Sequence, residues 1–76
     1  MADFWEKEEL VGKITKNSRE EIQVKKVEKG GKKYVDIRTF WFDSASDEFR
    51  PSQKGVTVAC DSFEEFRELI NGMDPL

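Results

Sequence analysis

The sequence predicts an α+β domain in which four β-strands are followed by one helix. Residues 10–60 are rich in β-branched and aromatic side chains between turn signals, and residues 61–73 carry apolar side chains at helical spacing. The chain has 76 residues, enough for one small domain. Because only 37% of the residues are apolar and 38% are charged, we expect a marginal core and an oligomer.

The first eleven residues are predicted to be an acidic leader. They contain four acidic residues and one lysine, and a charged segment of this length is often disordered. Whether Phe4 and Trp5 dock on the domain is left open by the sequence. The first strand is expected at Leu10–Lys16, where it is closed by a turn at Asn17-Ser18.

A β-hairpin is predicted around Gly30-Gly31, since two glycines are typical of a two-residue hairpin turn. This register pairs Lys29 with Lys32, Val27 with Tyr34, Lys25 with Asp36, Val24 with Ile37, and Ile22 with Thr39. One face is then apolar and is expected to be core: Ile22, Val24, Val35, Ile37 and Trp41. The other face is basic and aromatic: Gln23, Lys25, Val27, Lys29, Lys32, Tyr34, Arg38 and Phe40.

The remaining elements are a loop, a strand and a helix. Residues 43–54 are predicted to form a long polar loop, and Gly55–Cys60 the fourth strand. The helix is expected to begin at an Asp61 or Ser62 N-cap and to stop at Gly72 and Pro75. Its apolar stripe consists of Phe63, Phe66, Leu69, Ile70 and Met73.

The composition excludes several kinds of site. The chain has no histidine, which rules out histidine acid–base chemistry and zinc sites of the Cys/His type. Its single cysteine, Cys60, suits a reducing compartment, and no stretch has the length of a membrane span. We therefore expect a soluble intracellular protein with no cofactor, no metal and no membrane partner. No phosphate-binding glycine motif or paired carboxylates are present, so an enzyme is not expected.

The formal charge of −3 conceals a basic centre. Residues 12–38 contain nine basic and four acidic residues, whereas the last sixteen residues contain five acidic and one basic. The Lys29–Lys32 pair at the hairpin tip is repulsive and contributes nothing to folding. An extended polyanion would bind such a surface, although lysines at a hairpin tip also discourage aggregation.

The run Thr39-Phe40-Trp41-Phe42 sends aromatic rings to both faces of the sheet. Rings on the second face are typical either of a dimer interface or of a platform on which unpaired bases stack. Cations and rings at adjacent positions favour single strands over duplex. The only predicted helix is acidic, so it does not suit a DNA groove.

Two strings resemble a known family. Asp36-Ile37-Arg38-Thr39-Phe40-Trp41-Phe42-Asp43 and Arg50-Pro51-Ser52-Gln53-Lys54-Gly55-Val56-Thr57-Val58, followed by a helix, resemble the single-stranded-DNA-binding domain of the transcriptional coactivator positive cofactor four. The likeness covers about residues 12–71. It implies a homodimer in which each chain supplies a curved four-stranded antiparallel sheet and a C-terminal helix.

The resemblance also implies roles for individual residues. Trp41 would stack on a base, the helix would help to build the dimer interface, and the matching basic positions Lys13, Lys32, Arg38 and Lys54 would meet the DNA backbone. Strand parity instead puts Trp41 on the apolar face. A bulge near Thr39, or a strand that ends there, would reconcile the two; otherwise Phe40 is the better candidate. Tyr34 or the Phe4/Trp5 pair could supply a further stacking contact.

The predicted organisation is an acidic leader at 1–11, a single-stranded-DNA-binding coactivator-like domain at 12–72 and a tail at 73–76. The expected function is largely sequence-independent binding of single-stranded DNA in transcription, replication or recombination, with transcription or replication proteins as further candidate partners. A protein-interaction module and a single-stranded-RNA-binding protein are the alternatives. Phe63, Phe66, Leu69 and Ile70 are the candidate dimer residues. The candidate nucleic-acid contacts are Lys13, Lys16, Lys25, Lys29, Lys32, Tyr34, Arg38, Phe40, Trp41 and Lys54.

Overall fold

Four antiparallel strands in sequence order and one C-terminal helix make up the fold in a computed structural model that describes residues 4–75. The elements are β1 (Lys7–Asn17), β2 (Glu20–Lys29), β3 (Lys32–Asp43), β4 (Glu48–Ala59) and α1 (Cys60–Asn71). This order confirms the predicted α+β fold. The first three residues of the predicted leader and the last of the predicted tail lie outside the described residues.

The hairpin between β2 and β3 has the predicted register. All five predicted pairs are present, from Lys29 opposite Lys32 to Ile22 opposite Thr39. Gly30 and Gly31 have φ angles of 62° and 78°, a backbone conformation that residues other than glycine adopt only at a cost in free energy. Because the register is unbroken from this turn to Glu20 and Trp41, it decides which side chains share a face.

The sheet therefore has two distinct faces. We call one the apolar face: Ile14, Ile22, Val24, Val35, Ile37, Val56 and Val58. We call the other the lysine-aromatic face: Lys25, Lys29, Lys32, Tyr34, Arg38 and Phe40. Neither face is a closed core, because no side chain in residues 4–75 is both large and completely buried.

The first strand begins at Lys7, three residues before the predicted start. The charged residues there lack the alternation of a half-buried strand, but their partners in β2 have the opposite charge. Lys7 lies opposite Glu28, and Glu9 lies opposite Lys26. Opposite charges across a strand pair stabilise the pairing, so part of the acidic segment belongs to the sheet.

The predicted long loop at 43–54 is wrong. The connection is a turn at residues 44–47, and β4 already begins at Glu48. Asp43 organises this turn: its carboxylate accepts hydrogen bonds from the Ala45 amide and from Arg50 Nε, at 3.1 and 2.7 Å. The pKa of the Asp43 carboxyl is lowered, mainly because the carboxylate accepts the hydrogen bond from Arg50.

A bulge in β4 explains why the sequence of this strand is atypical. Gly55 lies opposite Arg38 and Pro51 opposite Phe40, so residues 52–54 oppose Thr39 alone. Proline is tolerated here because it lies beside a bulge on an edge strand. Ser52 Oγ fastens the bulge by donating a hydrogen bond of 2.7 Å to the Thr39 carbonyl.

The helix follows β4 directly, and this corrects the predicted N-cap. Ala59 is still paired with Tyr34 in the sheet, and α1 begins at Cys60 without a side-chain cap. Asp61 lies in the first turn, where a carboxylate complements the helix dipole. At the other end Gly72 donates its amide to the Glu68 carbonyl at 3.0 Å, which confirms the predicted stop. Within residues 4–75, no helix combines the length and the apolar character needed to cross a membrane.

Gly55 should be the glycine in the sheet that least tolerates a side chain. A Cβ atom there would lie 2.7 Å from the Ile37 carbonyl oxygen and 3.0 Å from Arg38 Cα, both backbone atoms. We expect Gly55→Ala to lower the free energy of unfolding by about 1–3 kcal/mol, as overpacking does. Urea unfolding at fixed protein concentration measures the change.

Gly12→Ala is the matched control, because a Cβ atom at Gly12 in β1 would meet nothing within 4 Å. Its free energy of unfolding should change by no more than about 0.5 kcal/mol. Equal effects of the two substitutions would contradict the close approach of β4 to β3 at the bulge.

Candidate nucleic-acid interface

The hairpin tip places two predicted cations directly opposite each other. Lys29 and Lys32 are the first pair outside the Gly30-Gly31 turn, and both are exposed. Within residues 4–75 neither ammonium lies in a salt bridge. One carboxylate, that of Glu6, also lies at the tip, where it accepts a hydrogen bond from the Gly30 amide at 3.1 Å. Two ammonium groups beside one carboxylate leave the tip with a local positive charge.

The predicted contacts divide between two places. Lys25, Lys29, Lys32, Tyr34, Arg38 and Phe40 share the lysine-aromatic face. Lys13 joins them, since it pairs with Gln23, which in turn pairs with Arg38. Lys16 lies at a bulge in β1 and Lys54 in the bulge of β4.

Glu20 interacts with three of the predicted contact residues: Lys16, Lys54 and Trp41. Glu20 lies directly opposite Trp41. A hydrogen bond from the Asn17 side chain, and then the charges of Lys16 and Lys54, lower the pKa of the Glu20 carboxyl. The charges of these two lysines therefore act on the carboxylate of Glu20, which pairs with Trp41 at the end of the sheet away from the hairpin tip.

The predicted core position of Trp41 is wrong. The bulge near Thr39 lies in β4, while β3 stays in register with β2 as far as Trp41. Trp41 therefore keeps the parity of the apolar face, but 41% of its surface is exposed, because it lies near the end of β3 beside Glu20 and Arg50. Phe40 has the parity of the lysine-aromatic face and is only 7% exposed.

Arg38 is held by neighbours on the sheet. Its Nε and Nη2 atoms donate to the two carboxylate oxygens of Asp36 at 3.1 and 3.0 Å, and Nη1 donates to the Ser52 carbonyl. Thr57 Oγ1 donates a further hydrogen bond to Asp36. The arginine thus ties β3 to the bulge of β4, and its charge is balanced by a buried carboxylate.

Lys25 also contacts neighbouring side chains, a carboxylate and an aromatic ring. Its ammonium lies 2.9 Å from Glu8 Oε1 and 4.8 Å from the centroid of the Phe40 ring. The side chain is mostly buried, at 20% exposure, so the ion pair is shielded from solvent more than a surface pair. The Lys13 side chain is more than half exposed, and its ammonium lies 3.8 Å from the Glu21 carboxylate, so this pair is looser than that of Lys25.

Residues 4–8 lie on the lysine-aromatic face, which the sequence left open. The Trp5 ring lies 5.7 Å from the Tyr34 ring, and the Lys29 ammonium lies 3.8 Å from the Phe4 ring centroid. Glu6 donates its amide to the Glu28 carbonyl and accepts a hydrogen bond from the Gly30 amide. The charge complementarity between the acidic start of the chain and the lysines of β2 is the sequence signal for this contact.

The candidate dimer residues lie along α1. Phe63 and Phe66 are half-buried, with ring centroids 6.4 Å apart, whereas Leu69 and Ile70 are 74% and 48% exposed. The structure describes all twelve residues of the helix, and none of them is buried. The helix contacts β3 and β4 and leaves much of its apolar stripe uncovered.

No group of three potential metal ligands comes together within residues 4–75. What the sheet offers chemically is a set of ammonium groups and of aromatic rings that differ in accessibility: Phe4 and Trp41 are exposed, Tyr34 is half-buried and Phe40 is buried.

The fold is similar to that of solved structures. BPSL1147, a PC4 homolog from Burkholderia pseudomallei, matches in its orthorhombic crystal form with a TM-score of 0.76 and 16% identity, covering 96% of this chain and 100% of that chain. Its tetragonal form matches with a TM-score of 0.75 and 17% identity, covering 88% of this chain and all of that chain. No curated protein matches the sequence.

A family model also matches the sequence itself. It is described as Transcriptional Coactivator p15 (PC4), and it matches residues 16–69, which include β2, β3, β4 and most of α1. The match spans well over half of the chain, and the similar structures share its fold. The chain therefore belongs to the transcriptional coactivator p15 (PC4) family.

Proposed function

We propose that the protein is a homodimer that binds single-stranded DNA, largely without sequence preference, through its lysine-aromatic face. The PC4 family is a family of nucleic-acid-binding, non-enzymatic proteins, and its ligand is single-stranded DNA. The observation that carries the proposal for this chain is the Lys29–Lys32 pair, whose ammonium groups form no salt bridge within residues 4–75 and lie on the same face as Tyr34 and Phe40.

The Lys29–Lys32 pair favours the binding of an anion at the hairpin tip. Two like charges directly opposite in a strand pair destabilise it by a few tenths of a kcal/mol up to about 1 kcal/mol. Four other cations of the sheet have a carboxylate within 4 Å: Lys13, Lys25, Arg38 and Arg50. A polyanion that binds at the tip relieves the repulsion, and its phosphates release counterions as they bind.

A single strand fits this surface better than a duplex. Its unpaired bases expose flat faces that stack on aromatic side chains, whereas a duplex keeps those faces in its own stack. The helix of the described chain carries Asp61, Glu64, Glu65 and Glu68, so a negative helix surface would face the phosphates of a DNA groove.

The homodimer follows from uncovered apolar surface. On the sheet, Ile14 and Val56 are 62% and 45% exposed, and on or beyond the helix Leu69, Ile70 and Met73 are about half exposed or more. Burying apolar surface contributes roughly 25 cal/mol per Å². A second copy, related by twofold symmetry, would cover the same patch on both chains, with Phe63, Phe66, Leu69 and Ile70 at the contact.

This function places the protein with DNA, in the cytoplasm and nucleoid of a bacterium or in a nucleus. Protecting or presenting unwound DNA during transcription, replication or recombination would use such a binding surface, together with proteins of those processes. Single-stranded RNA offers the same phosphates and bases. Competition between oligo-dT and oligo-U for the protein decides between the two polymers.

Binding should depend steeply on salt. If each protomer neutralises about six phosphates, the slope of log affinity against log salt is about −4, a loss of roughly 300-fold between 50 and 200 mM. Replacing Lys29 and Lys32 together by alanine removes two cations and should reduce the slope by about 1. Fluorescence anisotropy of labelled oligo-dT at three salt concentrations measures both values.

The matched control replaces Lys26 and Lys33, which have the same charge and lie near the same turn but have the opposite strand parity. This control should retain the wild-type slope. If the two double variants behave alike, the lysine-aromatic face is not the DNA surface. Failure of the wild-type protein to bind oligo-dT at low salt would favour a protein-interaction module.

The dimer should depend on the exposed end of the helix stripe. Light scattering should give a mass near twice 8.9 kDa for the wild-type protein. Leu69→Lys with Ile70→Lys should give the monomer mass, because two desolvated charges at an apolar contact cost several kcal/mol. Glu65→Lys with Glu68→Lys is the control for added positive charge on the same helix. A wild-type monomer at micromolar concentration would contradict the homodimer.

A further inference from the structure

A cleft of about 620 Å³ lies on the lysine-aromatic face, between the segment Phe4–Glu8 and the bulge of β4. Its lining includes Phe4, Trp5, Phe40 and Gln53. We propose that this cleft takes one unpaired nucleobase of the bound strand, held against the aromatic wall formed by Phe4 and Trp5. The proposal rests on the proposed function and adds a base site built by residues outside the family match at 16–69.

The cleft is balanced in charge and therefore suits a neutral group. It is lined by two cations, Lys25 and Arg38, and each has a carboxylate partner that also lines the cleft, at 2.9 and 3.0 Å. A phosphate placed inside would meet those carboxylates. Seven lysines have no salt bridge within residues 4–75, Lys29, Lys32 and Lys54 among them, and none of the seven lines the cleft, so phosphates belong outside it.

The aromatic wall is accessible and rigidly supported. Phe4 packs edge-on against Trp5 with ring centroids 4.7 Å apart, and Trp5 lies against Tyr34. Phe4 keeps 59% of its surface exposed. Stacking on such rings is worth roughly 1–3 kcal/mol per base and tolerates any base. The ammonium of Lys29 over Phe4 adds a cation at the border of the wall, where the backbone of a stacked nucleotide would pass.

The hydrogen-bonding groups of the cleft point to the same kind of occupant. Ser52, Thr57 and Asp36 are already used in hydrogen bonds within the sheet. Within residues 4–75, the Gln53 amide and the Trp5 indole N–H form no hydrogen bond. An amide that both donates and accepts matches the polar edge of a base, and it has less to offer a phosphate.

The segment that forms the wall is fixed in place before any ligand binds. The Glu6 amide donates to the Glu28 carbonyl at 2.8 Å, the Gly30 amide donates to Glu6 Oε1 at 3.1 Å, and Lys25 holds Glu8. A preformed wall lowers the entropic cost of binding. The volume of the cleft also lies within the range of roughly 300–1,000 Å³ that is usual for small ligands.

The test uses the two tryptophans, Trp5 and Trp41, as reporters. Full-length protein labelled with 5-fluorotryptophan gives two fluorine resonances, and Trp5→Phe assigns them. We compare oligo-dT with an abasic deoxyribose-phosphate oligomer of the same length and charge. The Trp5 resonance should shift with oligo-dT and should stay within its linewidth with the abasic oligomer, although the abasic oligomer also binds.

Affinities measured in parallel give a second readout. Phe4→Ala with Trp5→Ala should weaken oligo-dT binding by about 5-fold to 100-fold and change abasic binding by less than 2-fold, since only the first ligand has a base to lose. Far-UV circular dichroism verifies that the variant is folded. Gln53→Ala serves as a single-site variant that leaves the wall intact, and it should weaken only oligo-dT binding.

Each outcome has one meaning. If oligo-dT binds without moving the Trp5 resonance, or if the Phe4/Trp5 variant binds it more tightly, the base site is disproved while the proposed function stands. The tighter binding would mean that the segment competes with DNA. If the wild-type protein binds neither oligomer at low salt, the proposed function fails, and the base site fails with it.

Discussion

The structure depends first on the register of the β2–β3 hairpin. The left-handed conformations of Gly30 and Gly31 permit a two-residue turn, and the turn fixes every pair from Lys29–Lys32 to Glu20–Trp41. Since side chains alternate between faces, a shift by one residue would move the valines and isoleucines to the lysine-aromatic face. The separation of the apolar face from the lysine-aromatic face is therefore a consequence of one turn.

A second constraint acts where β4 meets β3. The bulge at 52–54 requires Gly55 to approach the backbone of β3, and Arg38 bridges from Asp36 to the Ser52 carbonyl. The arginine thereby has a structural role in a position where the family resemblance implies a DNA contact. Both are compatible, since a guanidinium has five N–H donors and three of them are used here.

The sequence predicted the hairpin pair by pair because turn chemistry and strand alternation are local signals. It did not predict the start of β4, since Pro51, Ser52 and Gln53 are typical of a loop and only the partner strand shows that they form a bulge. The start of β1 was missed for a similar reason: Glu8 and Glu9 are stabilised by lysines of β2 that lie far away in the sequence. Trp41 is accessible because it lies near the end of β3, and strand parity alone predicts the face of a side chain but not where the strand ends.

The distribution of ion pairs explains how an acidic protein presents a basic surface. In the described chain the carboxylates of Glu8, Glu21, Asp36 and Asp43 each lie beside a cation of the sheet. The pairs of Glu8, Glu21 and Asp36 neutralise cations of the lysine-aromatic face, whereas Asp43 and Arg50 lie at the turn between β3 and β4. The two lysines of the hairpin tip form no salt bridge in residues 4–75. Since the potential near a surface depends on local charge, the tip has a positive local charge despite the net charge of −3. Under the proposed function, phosphates would bind near the tip, and the neutralised interior, lined by Phe40 and the Phe4–Trp5 wall, would take the uncharged bases of the same polymer.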